Sequence, residues 1–306
     1  MFRWLHLLLF HLLWPHVWSF RICAFNAQHF GEKKAANQEV LDILIKIVQR
    51  CDICLLQEVQ DPKGQALSKL MQGLNRQQEL FQFVISPALG RNSYTEKYAF
   101  IYKSDKISVR DQYKYHDNDT KKPDVFAREP YVVRFTLRYA DLQDLVVIPQ
   151  HTVPDKADEE IEALYDVFLN VTSHWRCNNL VFMGDFNAGC SYLSKKKRRT
   201  LRLYSDPKFH WLIGDDIDTT VRESTKCPYD RIVVYGEELA NLVNSAGIYN
   251  FTKELELTEA EALKVSDHYP VEADLNLKYS SAHTLHPSVI LLVLSVLAAG
   301  GTKTLQ

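Results

Sequence analysis

Acid, amide and histidine side chains stand at the borders of short apolar segments along this chain. Asn26 follows the apolar residues 21–25, Glu58 follows 52–57, and His151 follows 145–150. The others lie beside three further apolar segments and are Asp185, Asn187, Asp230, Asp267 and His268. Carboxylates and amides are oxygen ligands for hard cations, and imidazoles transfer protons near neutral pH. The set therefore predicts metal-assisted acid–base chemistry.

The apolar segments themselves are rich in Val, Ile, Leu and Phe, which is typical of buried strands whose ends meet along one rim of a layered sheet. The sharpest motif is 183–187, where Gly184 permits close approach and Asp185 and Asn187 point to the same side. An Asx turn that caps a strand is the alternative for this motif alone, and a single histidine such as His268 is more often structural than catalytic. Glu58 is costly to bury without a partner or a metal, so its co-occurrence with the other residues favours a site.

Helices and strands that could position these residues are predicted from the spacing of apolar residues. Helical spacing occurs at 38–49, 67–74 and 156–175. Strands are predicted near 81–86, 98–102, 108–115 and 131–137, some of them without a helix between them. This order favours a mixed sheet, or two sheets packed under helices, over a purely parallel sheet. No low-complexity linker or repeat interrupts residues 20–277, which are predicted to form one domain.

Composition sets wide limits on function. The chain has 306 residues, of which 46% are hydrophobic, enough for a large core. The formal net charge of -2 gives no overall attraction to polyanions, so nucleic-acid binding would need a local basic patch. The strongest basic run is 195–199, Lys-Lys-Lys-Arg-Arg. We interpret it as a solvated loop, and electrostatic attraction of phosphate groups is the alternative. A nuclear localisation signal is disfavoured because the chain begins with a predicted signal peptide.

Both ends of the chain have features of secretory proteins. Residues 1–19 combine an early arginine with an apolar stretch that ends at Ser19, which predicts a cleaved signal peptide rather than a buried N-terminal helix. Residues 278–306 hold small residues, a spacer and the apolar stretch 289–299, too short to cross a bilayer comfortably. This pattern predicts a GPI-anchor signal, with a shallow tail anchor or a secreted form as alternatives. Three sequons are consistent with that route: Asn118, Asn170 and Asn250.

The six cysteines invite pairing in an oxidising compartment. Cys51 and Cys54 lie where an amphipathic segment meets an apolar strand, without a second pair at zinc-like spacing, so we expect buried structural thiols there. Cys190 follows the Asp185–Asn187 motif and Cys227 precedes Asp230, both in polar surroundings. These two are predicted to form a disulfide that joins two loops of the site.

Nine stretches of the chain match the motifs of one family. They are residues 25–28, 56–59, 89–98, 126–130, 151–152, 165–167, 183–188, 227–234 and 266–271. With them, the chain resembles the deoxyribonuclease I family of the endonuclease/exonuclease/phosphatase superfamily from about residue 20 to 277. The resemblance implies an α/β fold, a four-layer sandwich of two packed mixed β-sheets flanked by helices.

The same resemblance implies a role for each acid and amide. Glu58 would hold the catalytic divalent cation with help from Asn26, while Asp185 and Asn187 would engage the scissile phosphate, the metal or the nucleophilic water. Ligation entirely by oxygen favours Mg²⁺, Mn²⁺ or Ca²⁺ over zinc, and the catalytic ion is predicted to be Mg²⁺ or Mn²⁺.

The resemblance also pairs His151 with Glu96 and His268 with Asp230, and places Asp267 beside His268. A carboxylate partner raises the pKa of an imidazole and fixes its tautomer, so one histidine can act as acid and the other as base or charge stabiliser. Sequence does not decide which does which.

Substrate contacts and structural ions are implied more loosely. Asn92, Tyr94 and Arg128 would contact DNA, whereas Gln60 replaces an arginine that enters the minor groove in the family's type member. Structural Ca²⁺ sites are implied at two sets of residues. The first set is Asp117, Asp124, Phe126 and Glu129; the second is Asp218, Thr220 and Thr225, where this chain departs from the family by a one-residue insertion.

These observations predict a monomeric, metal-dependent endonuclease that cuts double-stranded DNA to 5′-phosphate and 3′-hydroxyl ends, in the endoplasmic reticulum, at the cell surface or outside the cell. A phospholipid or phosphoinositide phosphodiesterase or phosphatase with the same fold is one alternative, and the motif around Asn92, Tyr94 and Glu96 argues against it. A nuclease-fold binding protein without turnover is the other, and the intact carboxylates and histidines argue against that. Actin binding is undetermined.

Overall fold

The computed structural model describes residues 17–77, 80–117 and 124–280. In these ranges the strands, numbered in chain order, are β1 (Val17–Phe30), β2 (Ile53–Val59), β3 (Phe81–Ile85), β4 (Lys97–Lys103), β5 (Ile107–Lys114), β6 (Tyr131–Leu137), β7 (Asp144–Pro149), β8 (Leu180–Asp185), β9 (Phe209–Trp211), β10 (Asp230–Tyr235), β11 (Val243–Ile248) and β12 (Val271–Lys278). They form two six-stranded sheets, ordered β11-β12-β1-β2-β4-β3 and β5-β6-β7-β8-β10-β9. Both sheets are mixed, because β1 pairs with β2 in parallel and β7 pairs with β8 in parallel, whereas the other pairs are antiparallel.

Helices cover the outer faces of both sheets. They are α1 (Glu32–Ala36), α2 (Gln38–Gln49), α3 (Gln65–Leu74), α4 (Ala157–Trp175), α5 (Lys195–Arg198), α6 (Arg202–Ser205), α7 (Glu237–Ala240), α8 (Phe251–Glu254) and α9 (Glu259–Val265), with 3-10 turns at Asn75–Gln77 and Pro154–Lys156. Leu44 of α2 packs in the same buried cluster as Phe25 and Leu56 of the first sheet. On the second sheet, α4 packs its apolar stripe in one cluster with Phe182.

A third apolar cluster lies between the two sheets and joins them face to face. Phe100 of β4 and Phe135 of β6 are both fully buried, with ring centroids 5.9 Å apart at an edge-to-face angle of 65°. The strands β2 and β8 are buried on both faces, which explains why their sequences are continuous apolar runs instead of alternating ones. The fold is therefore the four-layer sandwich of two packed mixed sheets that the sequence predicted.

The predicted helices and strands are confirmed, with boundaries that differ by one or two residues; for example, the helix predicted at 67–74 begins at Gln65. The helix predicted at 156–175 begins at Ala157, after the 3-10 turn Pro154–Lys156. Asn37 begins α2 because its side chain accepts a hydrogen bond from the Val40 amide at 3.3 Å.

The prediction of two free thiols at Cys51 and Cys54 is wrong for Cys51. Cys51 is bonded to Cys23 of β1, and the described free cysteines are Cys54 and Cys177, both buried. The disulfide forms because the end of α2 lies over β1. Its two cysteines are 28 residues apart, so the spacing of neighbouring residues does not predict it.

Several predictions about the chain ends fall outside the described residues. Residues 1–16 of the predicted signal peptide and 281–306 of the predicted tail are among them, as is Asn118. Residues 17–19 belong to β1 and pair with residues 276–278 of β12. Among the described residues, no helix is both long and apolar enough to cross a membrane.

Candidate active site

Strand ends of the two sheets meet at one edge of the sandwich and bring the predicted side chains together. Asn26 of β1 and Glu58 of β2 come from the first sheet. From the second sheet, His151 follows β7, Asp185 ends β8 and Asp230 begins β10, where it pairs with Asp185 in register. The loop before β12 carries His268 to the same place, and an isolated bridge links it to Thr220.

Asp185 lies at the centre of this arrangement and is 2% exposed. Its Oδ2 lies 3.6 Å from Nε2 of His151 and 3.6 Å from Nε2 of His268, and it accepts a hydrogen bond from Asn26 Nδ2 at 3.3 Å. Burial alone would raise the pKa of Asp185, but the two imidazoles outweigh it, so the pKa lies below its ordinary value. One carboxylate oxygen is therefore shared by two imidazoles and an amide.

His151 is backed by Glu96, whose Oε1 lies 2.8 Å from His151 Nδ1. Arg128 sits behind both residues, because its Nε is 3.8 Å from Glu96 Oε1 and donates to the His151 carbonyl at 2.9 Å. Burial lowers the pKa of His151, and Glu96 opposes it strongly enough that the pKa is raised, although Arg128 works in the other direction. Tyr98 completes the support, since its hydroxyl accepts a hydrogen bond from the His151 amide at 2.9 Å.

His268 has the corresponding partner in Asp230, whose Oδ2 lies 2.8 Å from His268 Nδ1. Burial lowers the pKa of His268, but Asp230 and Asp185 more than offset this and raise it to about 10. Asp267 is more distant, with its Oδ1 3.9 Å from His268 Nε2. Ser266 ties the loop to β1, because its hydroxyl donates to the Asn26 carbonyl at 2.6 Å and accepts from the His268 amide.

Glu58 lies on the first-sheet side of the site in a left-handed conformation, with φ at 56°. Its carboxylate accepts hydrogen bonds from Asn26 Nδ2 at 3.1 Å and from the His29 amide at 2.9 Å, and the His29 ring lies 3.1 Å away. The Asn26 oxygen is turned away and accepts from the Gln28 amide at 2.9 Å. In this orientation Asn26 steadies the two carboxylates of Glu58 and Asp185 with its NH₂ group.

The donor set suits a divalent cation. Ligand atoms of Asp185, Asp230 and His268 lie within 4.8 Å of one another. One oxygen of Asp230, Oδ1, and one of Glu96, Oε2, are buried without a protein hydrogen-bond partner. Buried carboxylate oxygens with free lone pairs are costly unless a cation or water satisfies them, and hard oxygen donors prefer Mg²⁺, Mn²⁺ or Ca²⁺.

Asn187 also has a left-handed backbone, with φ at 48°. Its amide donates to Asp185 Oδ1 at 3.0 Å, and its side-chain Nδ2 donates to the Thr152 carbonyl at 3.1 Å. The residue is consequently fixed beside Asp185 and Thr152. Such strain in a buried turn is characteristic of functional sites.

The residues implied to contact DNA divide into two groups. Asn92 and Tyr94 lie in an exposed loop before β4, with Tyr94 42% exposed and its ring centroid 6.1 Å from that of His29. Arg128, by contrast, is 8% exposed, and its guanidinium is occupied by the carbonyls of His151 and Thr152. Arg128 thus lies beneath the site and supports it.

The predicted disulfide partners Cys190 and Cys227 are bonded in the structure and join the loop after β8 to the loop before β10. Of the sequons within the described residues, Asn170 is exposed and its side chain accepts from the Tyr113 hydroxyl at 2.7 Å. Asn250 caps α8 by accepting from the Lys253 amide at 2.9 Å.

The two sets implied to bind structural calcium differ in compactness. In the first set, Asp117 accepts from the Phe126 amide at 3.1 Å, while Asp124 pairs with Arg91 and Glu129 pairs with Lys114. Its carboxylates are thus turned toward separate partners.

The second set forms one tight turn. Asp218 Oδ1 accepts from the Thr220 amide at 3.0 Å. The single hydrogen of the Thr220 hydroxyl has two acceptors within reach, Asp218 Oδ1 at 2.7 Å and the Thr225 carbonyl at 2.9 Å.

Some residues that build the site were missed by sequence reasoning. Gln57 is fully buried and bridges the two sheets, donating to the Gln150 carbonyl at 2.8 Å and accepting from the Asp185 amide at 2.9 Å. Lys34 holds the loop after Asn26 through the Ala27 and Val265 carbonyls, and burial lowers its pKa to about 8. A polar residue inside an apolar run was the available signal for Gln57, whereas Lys34 is indistinguishable from a surface lysine.

Comparisons with known proteins agree with this geometry. The model of the endonuclease/exonuclease/phosphatase family matches residues 23–268. Deoxyribonuclease gamma of Mus musculus is 48% identical over 274 residues, covering 88% of this chain and 88% of that protein. Deoxyribonuclease-1-like 1 of Homo sapiens, the member that the apolar tail and individual segments favoured, is 46% identical over 295 residues, covering 95% and 96%.

Solved structures show the fold at lower identity. A humanized D. rerio TDP2 aligns with a TM-score of 0.58 at 13% identity, over 84% of this chain and 99% of that one. A mannosyl-6-phosphatase from Bacteroides thetaiotaomicron aligns with a TM-score of 0.57 at 14% identity, over 84% and 99%. With the family model spanning most of the chain and relatives near half identity, this chain belongs to the endonuclease/exonuclease/phosphatase family and, within it, with the deoxyribonuclease I relatives.

Proposed function

We propose that the protein is a divalent-metal-dependent endonuclease that hydrolyses double-stranded DNA to 5′-phosphate and 3′-hydroxyl ends. The observation that carries this proposal is the pair of imidazoles of His151 and His268, which face one oxygen of Asp185 at 3.6 Å and are each backed by a carboxylate at 2.8 Å. Hydrolysis of a phosphodiester requires one proton to leave the attacking water and one to reach the leaving oxygen. The names of the relatives, which are deoxyribonucleases, supply the substrate class.

Glu58 would hold the cation, Mg²⁺ or Mn²⁺, with help from Asn26, whose Nδ2 lies 3.1 Å from a Glu58 oxygen and 3.3 Å from an Asp185 oxygen. Asp185, joined to Glu58 through this amide, would add a second carboxylate. When bound, the cation supplies stabilisation of the negative charge that develops on the phosphate. Asn26 orients Glu58 and Asp185 through its NH₂ group, and Asn187, whose amide donates to Asp185, would engage the scissile phosphate. Ca²⁺ would act structurally at the turn that contains Asp218 and Thr220.

The two histidines take different roles in this proposal. His268, with its pKa raised to about 10, retains its proton at neutral pH and suits donation to the leaving 3′-oxygen. His151 takes the role of base toward the attacking water, because Glu96 accepts the hydrogen of its Nδ1 and leaves the lone pair of the neutral ring on Nε2, which faces Asp185. Glu96 and Asp230 hold the two rings with Nε2 toward the substrate.

DNA would approach across the exposed side chains that border Glu58. Tyr94 and His29 form a wall there, and an aromatic ring can lie against a sugar or base edge in the minor groove. Gln60 offers no cation, so we expect weaker attraction to phosphates on that side than an arginine would give. The protein would act as a monomer in the secretory pathway, at the endoplasmic reticulum or cell surface through a GPI anchor, or as a secreted form. The disulfides Cys23–Cys51 and Cys190–Cys227 support an oxidising compartment.

Nicking of supercoiled plasmid by residues 20–280 tests the proposal. With Mg²⁺ and Ca²⁺ we expect open-circular and then linear DNA, no product with chelator, and ends that are ligated without prior phosphorylation. His151→Ala, purified in the same way, should fold and cut more slowly by orders of magnitude. Release of a phosphorylated headgroup from phospholipid vesicles without DNA cleavage would select the lipid alternative, and DNA binding without turnover would select the inactive one.

A further inference from the structure

The basic run 195–199 contains one residue that differs from its neighbours. Arg198 is 3% exposed, whereas Lys195, Lys196, Lys197 and Arg199 are exposed. Ser194 begins the short helix by accepting from the Lys197 amide at 3.2 Å, and this turn places Arg198 on the inner side. Burial of a guanidinium is rare unless the group is paired, so Arg198 has a purpose different from that of a solvated basic loop.

Arg198 converges with Arg231 on the carbonyl that follows Asn187. Arg198 Nη1 donates to the Ala188 carbonyl at 2.9 Å, and Arg231 Nη2 donates to the same oxygen at 2.7 Å. Asp215 joins the two arginines, since one of its oxygens pairs with Arg198 and the other lies 3.1 Å from Arg231 Nη2. We call Arg198, Arg231 and Asp215 the Ala188 clamp.

Aromatic rings also contact the two arginines and Phe186, the residue before Asn187. Arg231 lies over the Trp211 ring at 5.7 Å, and Trp211 packs edge-to-face against Phe186 with centroids 6.2 Å apart. Arg198 lies over Tyr204 at 5.1 Å, and Tyr204 contacts Trp211 in turn. The residues before and after Asn187 are therefore both anchored.

Asn187 needs such anchors because its backbone is left-handed, with φ at 48°. Asparagine tolerates this conformation better than most residues, but it is still less favourable than the right-handed regions, and contacts on both sides of the residue hold it there. If Ala188 were released, Asn187 could relax, so that its side chain would leave Thr152 and its amide would leave Asp185.

We propose that Arg198 and Arg231, bridged by Asp215, are positioning residues that hold the Ala188 carbonyl and thereby fix Asn187 for phosphodiester cleavage. This inference rests on the proposed function, because it assigns Asn187 a role in that reaction. It also divides the basic run: Arg198 positions the site, Lys197 pairs with Asp158, and the exposed Lys195 and Lys196 can contact solvent or phosphate.

Arg198→Met is the variant that tests the clamp without leaving an unbalanced charge. The clamp holds two arginines and one carboxylate, so removal of Arg198 leaves Arg231 and Asp215 as a matched pair, and we expect a folded protein. The kcat for plasmid nicking should fall about 10- to 100-fold, while the KM for DNA changes less than about twofold. Arg198→Lys should recover part of kcat, because an ammonium can reach Ala188 or Asp215 but lacks the planar fork that contacts both.

Lys196→Met is the matched control, since it removes the same charge from an exposed position of the same helix. It should leave kcat unchanged and at most alter the KM and its salt dependence. An unchanged kcat in Arg198→Met, or a change confined to KM and equal to that of Lys196→Met, overturns the proposal.

Amide hydrogen exchange of residues 186–189 separates the clamp from the proposed function. In Arg198→Met this segment should exchange at least about tenfold faster than in the wild type, with the rest of the site unchanged, because its carbonyl anchor is lost. Equal exchange in the two proteins overturns the clamp whatever the substrate is. If the wild type cuts no DNA but the exchange difference is found, the proposed function fails and the positioning role stands.

Discussion

Glu96 should contribute to cleavage only through His151, and this expectation can be given a magnitude. Its Oε1 lies 2.8 Å from His151 Nδ1, and its side chain is 0% exposed. Opposite unit charges about 4 Å apart interact by about 4 kcal/mol at an effective dielectric constant near 20, and only part of this is lost with the charge because the amide keeps a hydrogen bond to the ring. Glu96→Gln removes this charge at almost constant volume, so we expect kcat to fall about 10²- to 10³-fold.

The decisive measurement is a double-mutant cycle with His151→Ala, read from initial rates of plasmid nicking at saturating DNA. His151→Ala alone should lower kcat about 10²- to 10⁴-fold, the usual worth of a general base. In that background Glu96→Gln should cost less than about threefold, since the ring that it orients is gone. Arg128 stays 3.8 Å from Glu96, so the carboxylate is not left unpaired by the loss of His151.

His210→Ala provides the control, because His210 Nε2 lies 3.5 Å from Glu237 at the opposite end of the second sheet. It should leave kcat unchanged. If Glu96→Gln lowers kcat by the same factor with and without His151, the two residues act independently and the reasoning is refuted.

Three further predictions concern stability, DNA affinity and pH. Replacing both Cys190 and Cys227 by alanine should lower the free energy of unfolding by about 4 kcal/mol, because the disulfide closes a loop of 37 residues. Chemical denaturation measures this change, and an unchanged denaturation midpoint would contradict it. Gln60→Arg should lower the KM for DNA at low salt and steepen the slope of log K against log salt by about 1, and an unaltered slope would count against DNA passing Gln60. Because the pKa of His268 is raised from 6.5 to about 10, its contribution to stability is fully present below pH 6.5 and is lost as pH rises through about 10. The difference in melting temperature between the wild type and His268→Asn in chelator should therefore shrink above pH 9, and a constant difference would contradict the raised pKa.

Local patterns predicted the elements of the fold well because their signals are periodic and short in range. The apolar stripe at 38–49 became α2, with five of its apolar residues buried. The continuous apolar run before Asp185 became β8, buried on both faces. The prediction for Cys51 was wrong because its disulfide partner Cys23 lies on a different element, and no pattern of neighbouring residues indicates that contact.

The residues of the active site also differ in how far local patterns predicted them. Residue types at strand ends marked Asn26, Glu58 and Asp185 as a group, since strand ends of layered sheets converge. The partners of the histidines came from resemblance alone, and the described structure brings them together across 55 residues for Glu96 and His151. Arg128 was implied as a DNA contact by resemblance, and no pattern in the sequence around it indicated that its guanidinium would be buried against the His151 carbonyl.

Residue types and their spacing were enough to predict which strands carry acids, amides and imidazoles at their ends, and that these groups suit a hard cation and proton transfer. The position of Asp185 between two imidazoles, and the contact of Arg198 and Arg231 with the Ala188 carbonyl, became visible in the folded protein. The reason is physical. Side-chain type and periodicity are properties of neighbouring residues, whereas the meeting of distant side chains depends on how two sheets pack, which is set by the whole buried core at once.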